Sequence, residues 1–215
     1  MKSNMPVHDI PRWAIVISLV TVGVALLLDG WILEKMPPEG TQFGDLYYLF
    51  RSIGYLPTWI AFCLVFTFAT HRDHRLQRRE SAIAIALTAA GSGIVAAILK
   101  VLIRRLDPRE MAEGSWQLAP WEGQWWDGTD LCFPSEHAAV AWGAAIAISR
   151  RWPRAAPLML LLAAGCASGR VLARAHNPSD VMASLLVAIV VSWAIERCFG
   201  DPVSQMAVAK QKPAS

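Results

Sequence analysis

Charged residues are scarce in this chain. Asp, Glu, Lys and Arg make up 17% of its 215 residues, where a soluble domain carries about a quarter. Paired cysteines are lacking too. Cys63, Cys132, Cys166 and Cys198 show no metal-ligand or disulfide-framework spacing, so neither a zinc site nor a cross-linked scaffold is expected. No internal repeat and no long linker interrupts the chain, which points to one domain over residues 1–215. No small-x-small cleavage pattern follows the first apolar stretch, which runs on through Asp29-Gly30-Trp31-Ile32-Leu33. A retained anchor is therefore expected rather than a removed leader. The net charge of +3 comes largely from short loops and is not a nucleic-acid footprint.

What is present is apolar and segregated. Apolar residues reach 54% and collect in six windows: Trp13–Leu33, Tyr55–Ala69, Ser81–Ile103, Pro134–Ile148, Ala155–Val171 and Pro178–Phe199. Most approach the ~20 residues with which a helix crosses the hydrocarbon layer; the second, fourth and fifth are short. A soluble helical bundle would need polar outer faces, which these windows lack. The fold class expected is all-α: a six-transmembrane-helix bundle. Lys and Arg set its orientation. The tails and the loops after the second and fourth windows hold Lys2, Arg12, Arg72, Arg75, Arg78, Arg79, Arg150, Arg151, Arg154, Arg197, Lys210 and Lys212. The opposite side holds Lys35, Arg51, Lys100, Arg104, Arg105, Arg109, Arg170 and Arg174. Both termini are expected to be cytoplasmic, with the opposite loops facing the periplasm or exterior of a cell (inner) membrane.

Three clusters of reactive side chains lie at helix ends on that outer side. The first is Lys100-x4-Arg105-x2-Pro108; alone it would read as two cations anchoring a helix end. The second is Phe133-Pro134-Ser135-Glu136-His137. Pro134 suits the first helical position, which places Ser135, Glu136 and His137 in a first turn whose unpaired amides favour an anion. The third, Arg170-x5-His176-x3-Asp180, is the most specific. An imidazole attacks phosphorus when a carboxylate fixes its tautomer, and a guanidinium grips two phosphate oxygens. Asn177 is a candidate cap for the last helix, with Asp180 at its third position. Together the clusters offer a charge clamp, a nucleophile and a leaving-group acid for displacement at phosphorus.

Elsewhere the residues suggest blander roles. Asp29 reads as an interfacial carboxylate near an outer helix end. The loop Glu34–Gly54 is expected to be irregular, on the strength of Met36-Pro-Pro-Glu-Gly40. His71 and His74 lie on a basic loop and are expected to bind no metal. The outer loop Arg104–Cys132, with Trp116, Trp121, Trp125 and Trp126, marks the headgroup interface or forms a lip that guides a headgroup. Gly165-x3-Gly169 and Gly91-Ser92-Gly93 are expected to serve close helix packing.

Across Lys100–Asp180, with the motif-bearing core placed at 96–199, the clusters resemble the type-2 phosphatidic acid phosphatase superfamily. Its motifs read Lys-x6-Arg-Pro, Pro-Ser-Gly-His and Ser-Arg-x5-His-x3-Asp. Three positions depart: Asp107 stands before Pro108, Glu136 replaces the glycine, and Gly169 replaces the serine. Arg105 is taken for the displaced arginine, as in members that resemble Lys-x4-Arg-x2-Pro. Glu136 is expected to turn its side chain away and offer only its amide. The resemblance implies that His176 attacks phosphorus, Asp180 orients it and His137 protonates the leaving oxygen. Lys100, Arg105, Arg170, Ser135 and the amides near Glu136 and Gly169 would hold the phosphate. No metal and no cofactor is implied, since the cations take that role. The expected partners are the bilayer and a lipid phosphate or diphosphate, with undecaprenyl diphosphate favoured over phosphatidic acid and phosphatidylglycerophosphate. A phosphoryl or headgroup transferase, or a non-catalytic lipid-binding or transport protein, are the alternatives.

Overall fold

Each apolar window becomes a helix. The computed structural model describes residues 12–39, 41–68, 75–109, 116–122 and 126–199. In chain order the helices are α1 (Arg12–Glu34), α2 (Asp45–Ile53), α3 (Leu56–Phe68), α4 (Arg75–Ile103), α5 (Glu136–Arg151), α6 (Ala156–Leu172) and α7 (Pro178–Phe199), with a 3₁₀ turn at Pro153–Ala155. His71, His74 and Trp125 lie outside the described residues.

The apolar surface shows where this bundle resides. α1 leaves Trp13, Val20 and Leu27 exposed, and α3 leaves Val65 and Phe68 exposed. A contiguous apolar surface of this kind is an interaction site, not a face for water. Trp13–Glu34, Arg79–Ile103, Pro153–Leu172 and Pro178–Cys198 are each long and apolar enough to cross a bilayer. The pair α2–α3, bent by 71°, makes a fifth such segment if counted as one. This is a membrane protein.

The fourth of the six expected crossings is different in kind. α5 has only 16 residues, of which Ala138 to Ala145, Ala147, Ile148 and Arg151 are buried. It lies among α4, α6 and α7, so protein rather than lipid surrounds it, and length and composition alone do not make it a span. Small residues allow this central position. A Cβ on Gly143 would stand 2.6 Å from Ser92 Oγ and 2.8 Å from the Thr88 carbonyl of α4. Gly93 likewise abuts Val140 and Gly91 abuts Val191, in keeping with a packing role for that run.

One element departs from the expectation of an irregular outer loop. Residues 45–53 form α2, with Asp45 in its first turn and Arg51 in its last, placed as the helix dipole favours. The Met36-Pro37-Pro38 breaker acts only on the residues before it. Tyr47, Phe50, Arg51 and Gly54 follow the i, i+3, i+4, i+7 spacing of one face. That face meets α6: the Phe50 ring fills the space above Gly165, and Tyr47 lies against Gly169. Gly54 abuts His137 and Cys166, where a Cβ would come within 2.7–2.8 Å of their atoms.

Candidate active site

The loop after α4 folds back over the bundle and delivers the first cluster. Arg104 ends α4 at φ 59°, a conformation that turns the chain sharply. Its guanidinium holds the carbonyls of Ala119 (3.2 Å) and Pro120 (2.8 Å). Backbone bonds from Leu106 to Gln117 (3.0 Å), Asp107 to Asp130 (2.8 Å) and Cys132 to Arg105 (2.9 Å) then lace the loop together. Arg105 is thereby directed inward, with Trp116 stacked 4.1 Å from its guanidinium. Trp116 thus has a structural task beyond marking an interface.

Arg105 is not where a phosphate grip would place it. It is buried, with Nη1 2.6 Å from Asp180 Oδ1 and 2.6 Å from Ser179 Oγ, and Nη2 2.8 Å from Asp29 Oδ2. Two carboxylates already claim it. Asp29 correspondingly is no interfacial carboxylate: it is 6% exposed, accepts from the Ser179 amide at 2.9 Å and also bonds the Ser179 hydroxyl. It thus satisfies a first-turn N–H of α7 that the helix itself leaves unpaired. No local sequence pattern announces this role, because its partners lie in α4's outer loop and in α7.

Asp180 completes the other half of that helix start. Its Oδ2 accepts from the Asn177 amide at 2.7 Å and from Asn177 Nδ2 at 3.3 Å. This is the reach-back arm of a capping box, from the third helical position to the cap residue. Asn177 occupies the cap position, as its sequence suggests, but its side chain donates rather than accepts. The carboxylate is consequently fixed on three sides before it meets the histidine.

His176 lies between α6 and α7 and is buried. Its Nδ1 is 2.8 Å from the Cys132 carbonyl and 3.6 Å from Asp180 Oδ2. A carbonyl only accepts, so Nδ1 carries the hydrogen and Nε2 keeps its lone pair. The tautomer expected to depend on Asp180 thus rests first on a backbone oxygen, with the carboxylate acting at longer range. Cys132 itself stays a thiol, raised by burial, and donates to the Leu106 carbonyl at 2.9 Å. Burial pushes His176 below its ordinary value, Asp180 opposes this, and the charges of Arg170 and Lys100 push it further down.

Around that imidazole stand the remaining groups. His137, in the first turn of α5, lies within the electrostatic reach of Arg170, His176 and Arg51. Arg170 has no ion pair among the described residues, and its buried Nε has no hydrogen-bond partner. Arg105 Nε is likewise without a partner, but Arg105 is paired with two carboxylates, so it is the lack of any paired carboxylate that leaves Arg170 suited to an anion. Lys100 Nζ lies 2.6 Å from Glu136 Oε1. Glu136 therefore does not turn away as expected; its carboxylate occupies a cation of the site.

Two more expected contacts are placed otherwise. Ser135 is fully buried; its hydroxyl caps α5, accepting from the Ala138 amide at 3.5 Å. Gly169 lies inside α6, where its amide is committed to the helix, and its open side receives the ring of Tyr47. The free first-turn amides of α5, at Glu136 and His137, are the ones a helix leaves available.

Cations that the sequence motifs did not single out also surround the site. Arg51 of α2 acts electrostatically on both His137 and Arg170. Arg109 acts on Arg170, held by Asp107 at 2.8 Å through Nε and 2.7 Å through Nη2. Asp107, standing where the motif has arginine, thereby holds Arg109 where its charge reaches Arg170. Among the described residues no group of His, Cys, Asp and Glu is arranged to hold a metal ion.

His176, His137, Asp180, Lys100 and Arg170 thus come from three separate stretches of chain. No curated relative and no solved structure matches the chain. The family model of the PAP2 superfamily matches residues 81–203, the stretch from α4 to the end of α7 that carries all three clusters. The chain belongs to the PAP2 superfamily, a family of phosphatases acting on phosphate esters.

Proposed function

We propose that the protein is an integral membrane phosphatase that hydrolyses a lipid phosphate or diphosphate through a phosphohistidine. The observation that carries this reading is the bond between His176 Nδ1–H and the Cys132 carbonyl. It leaves Nε2 as the nucleophilic atom beside Arg170, Lys100 and His137. Nε2 attacks phosphorus, the bond from phosphorus to the leaving oxygen breaks, and His137 gives that oxygen a proton. Water then attacks the phosphohistidine with His137 taking its proton, and phosphate leaves. Arg170, Lys100 and the first-turn amides of α5 hold the phosphate oxygens as charge builds on them. Arg105 and Ser135 support the site instead, Arg105 through Asp180 and Ser135 through the start of α5.

The whole chain forms one domain with six crossings, the bent α2–α3 pair serving as the second and α5 as the fourth. Both termini are cytoplasmic, from the excess of Lys and Arg on that side, and the site opens at the outer face of a cell (inner) membrane. A lipid headgroup enters over α2, whose Leu46, Tyr48 and Leu49 are exposed and suit contact with acyl or prenyl chain. Arg51 and Arg109 add positive charge beyond the motif cations, which favours a diphosphate such as undecaprenyl diphosphate over phosphatidic acid and phosphatidylglycerophosphate. The test is phosphate release from a panel of these lipids, with chelator present, by wild type and His176→Ala. The reading requires release by wild type and none by the variant; release by neither, or by both, refutes it.

A further inference from the structure

Glu136 stands where the Pro-Ser-Gly-His motif that this stretch resembles has glycine, and its carboxylate is not idle. Oε1 lies 2.6 Å from Lys100 Nζ, with the Lys100 side chain 12% and the Glu136 side chain 42% exposed. A contact of that length is a charge-assisted hydrogen bond. The lysine is the enclosed partner and the carboxylate the accessible one, so Glu136 approaches from the mouth of the site. It also belongs to the first turn of α5, next to His137 and to the amides that suit an anion. A phosphate oxygen bound to Lys100 would take the place this carboxylate now holds.

We infer that Glu136 is an internal ligand of Lys100 that competes with substrate and product phosphate and so sets the affinity of the site. The inference rests on the phosphatase reading above. The incoming phosphate displaces the carboxylate, which swings toward solvent on its flexible side chain. Once displaced it still lies beside the bound anion and repels it in proportion to its charge, a dianion more than a monoanion. When phosphate is formed, the carboxylate returns to Lys100 and assists release. Glu136 acts through Lys100 and on occupancy, not on the bond being broken.

The experiment uses the full-length protein in proteoliposomes, comparing wild type with Glu136→Gln and Glu136→Gly. The readouts are the inhibition constant of inorganic phosphate as product and KM for the lipid phosphate. Both variants should bind inorganic phosphate about tenfold more tightly, equivalent to about 1.4 kcal/mol, and show a lower KM. The gain should be larger at about pH 8, where the dianion prevails, than at about pH 6. A folding defect cannot tighten product binding, so that gain is specific to the mechanism. An inhibition constant within twofold of wild type, or weaker, in both variants overturns the inference while leaving the phosphatase reading intact. If wild type neither releases phosphate nor binds it by calorimetry, the phosphatase reading fails and this inference fails with it.

Discussion

Arg105 and Asp29 meet at 2.8 Å although 76 residues separate them in the chain. Asp29 thereby ties α1, which otherwise packs mainly against α7, to the carboxylate that steadies the histidine. Removing one partner of a buried pair leaves the other charge uncompensated, at a cost of about 3–5 kcal/mol. Asp180 still faces Arg105, so the lower end applies here. Asp29→Ala should lose about 3 kcal/mol of stability and lower kcat with it. Chemical denaturation in detergent measures the first effect, and an unchanged midpoint would show the pair to be without consequence.

Asp180→Asn separates two roles of one carboxylate. The Cys132 carbonyl continues to hold Nδ1–H, so the productive tautomer survives the substitution. What goes is the negative charge beside the cation that develops on His176, together with one of the two acids on Arg105. We expect kcat to fall by about 10²-fold, with KM little changed. A loss as complete as that of His176→Ala would show instead that the carboxylate, not the carbonyl, sets the tautomer.

The pH dependence follows from burial of His176. Its folded midpoint lies below the ordinary value, about 6.5 for an unperturbed histidine. As pH falls through that value the unfolded chain takes up a proton that the folded chain refuses. Stability from this group is therefore full above about pH 6.5 and declines below it. Histidine-selective isotope labelling and NMR titration of the free enzyme should give His176 a midpoint under 6.5 and a neutral ring with hydrogen on Nδ1. A midpoint above 7, or hydrogen on Nε2, would contradict the proposed nucleophile.

Much of this was visible in the residues alone. The Arg170, His176 and Asp180 spacing marks the turn into α7, and Pro134-Ser135 marks the start of α5 two residues early, since Ser135 is the cap and the helix begins at Glu136. Local rules act over single helix starts, so those starts are legible. Asp29 was not, because its meaning depends on α1 lying beside α7, a packing relation that no window of sequence carries. Arg105 is ambiguous in sequence for a similar reason: a cation near an anion site looks the same whether it faces the ligand or the acids behind it. The Cys132 carbonyl has no side-chain signature. The α2 helix was hidden by prolines that precede it, although its Tyr47, Phe50 and Arg51 spacing was there to find.

α2 is seated on α6, and Gly165 permits it. A Cβ there would stand 2.3 Å from the Phe50 ring. Overpacking of this kind costs about 1–3 kcal/mol. Gly165→Ala should therefore destabilise the protein and raise KM by displacing Arg51, and Phe50→Leu should restore part of both. Failure of the second substitution to rescue the first would place the glycine's importance elsewhere.

The central claim is a covalent bond between phosphorus and one histidine nitrogen. Incubating the protein with lipid carrying radiolabelled terminal phosphate, quenching in alkali and mapping the labelled peptide tests it most directly. The account predicts an alkali-stable, acid-labile label on the peptide that contains His176, present in wild type and absent from His176→Ala. Label on another residue, or rapid phosphate release with no label trapped under any quench, would contradict it.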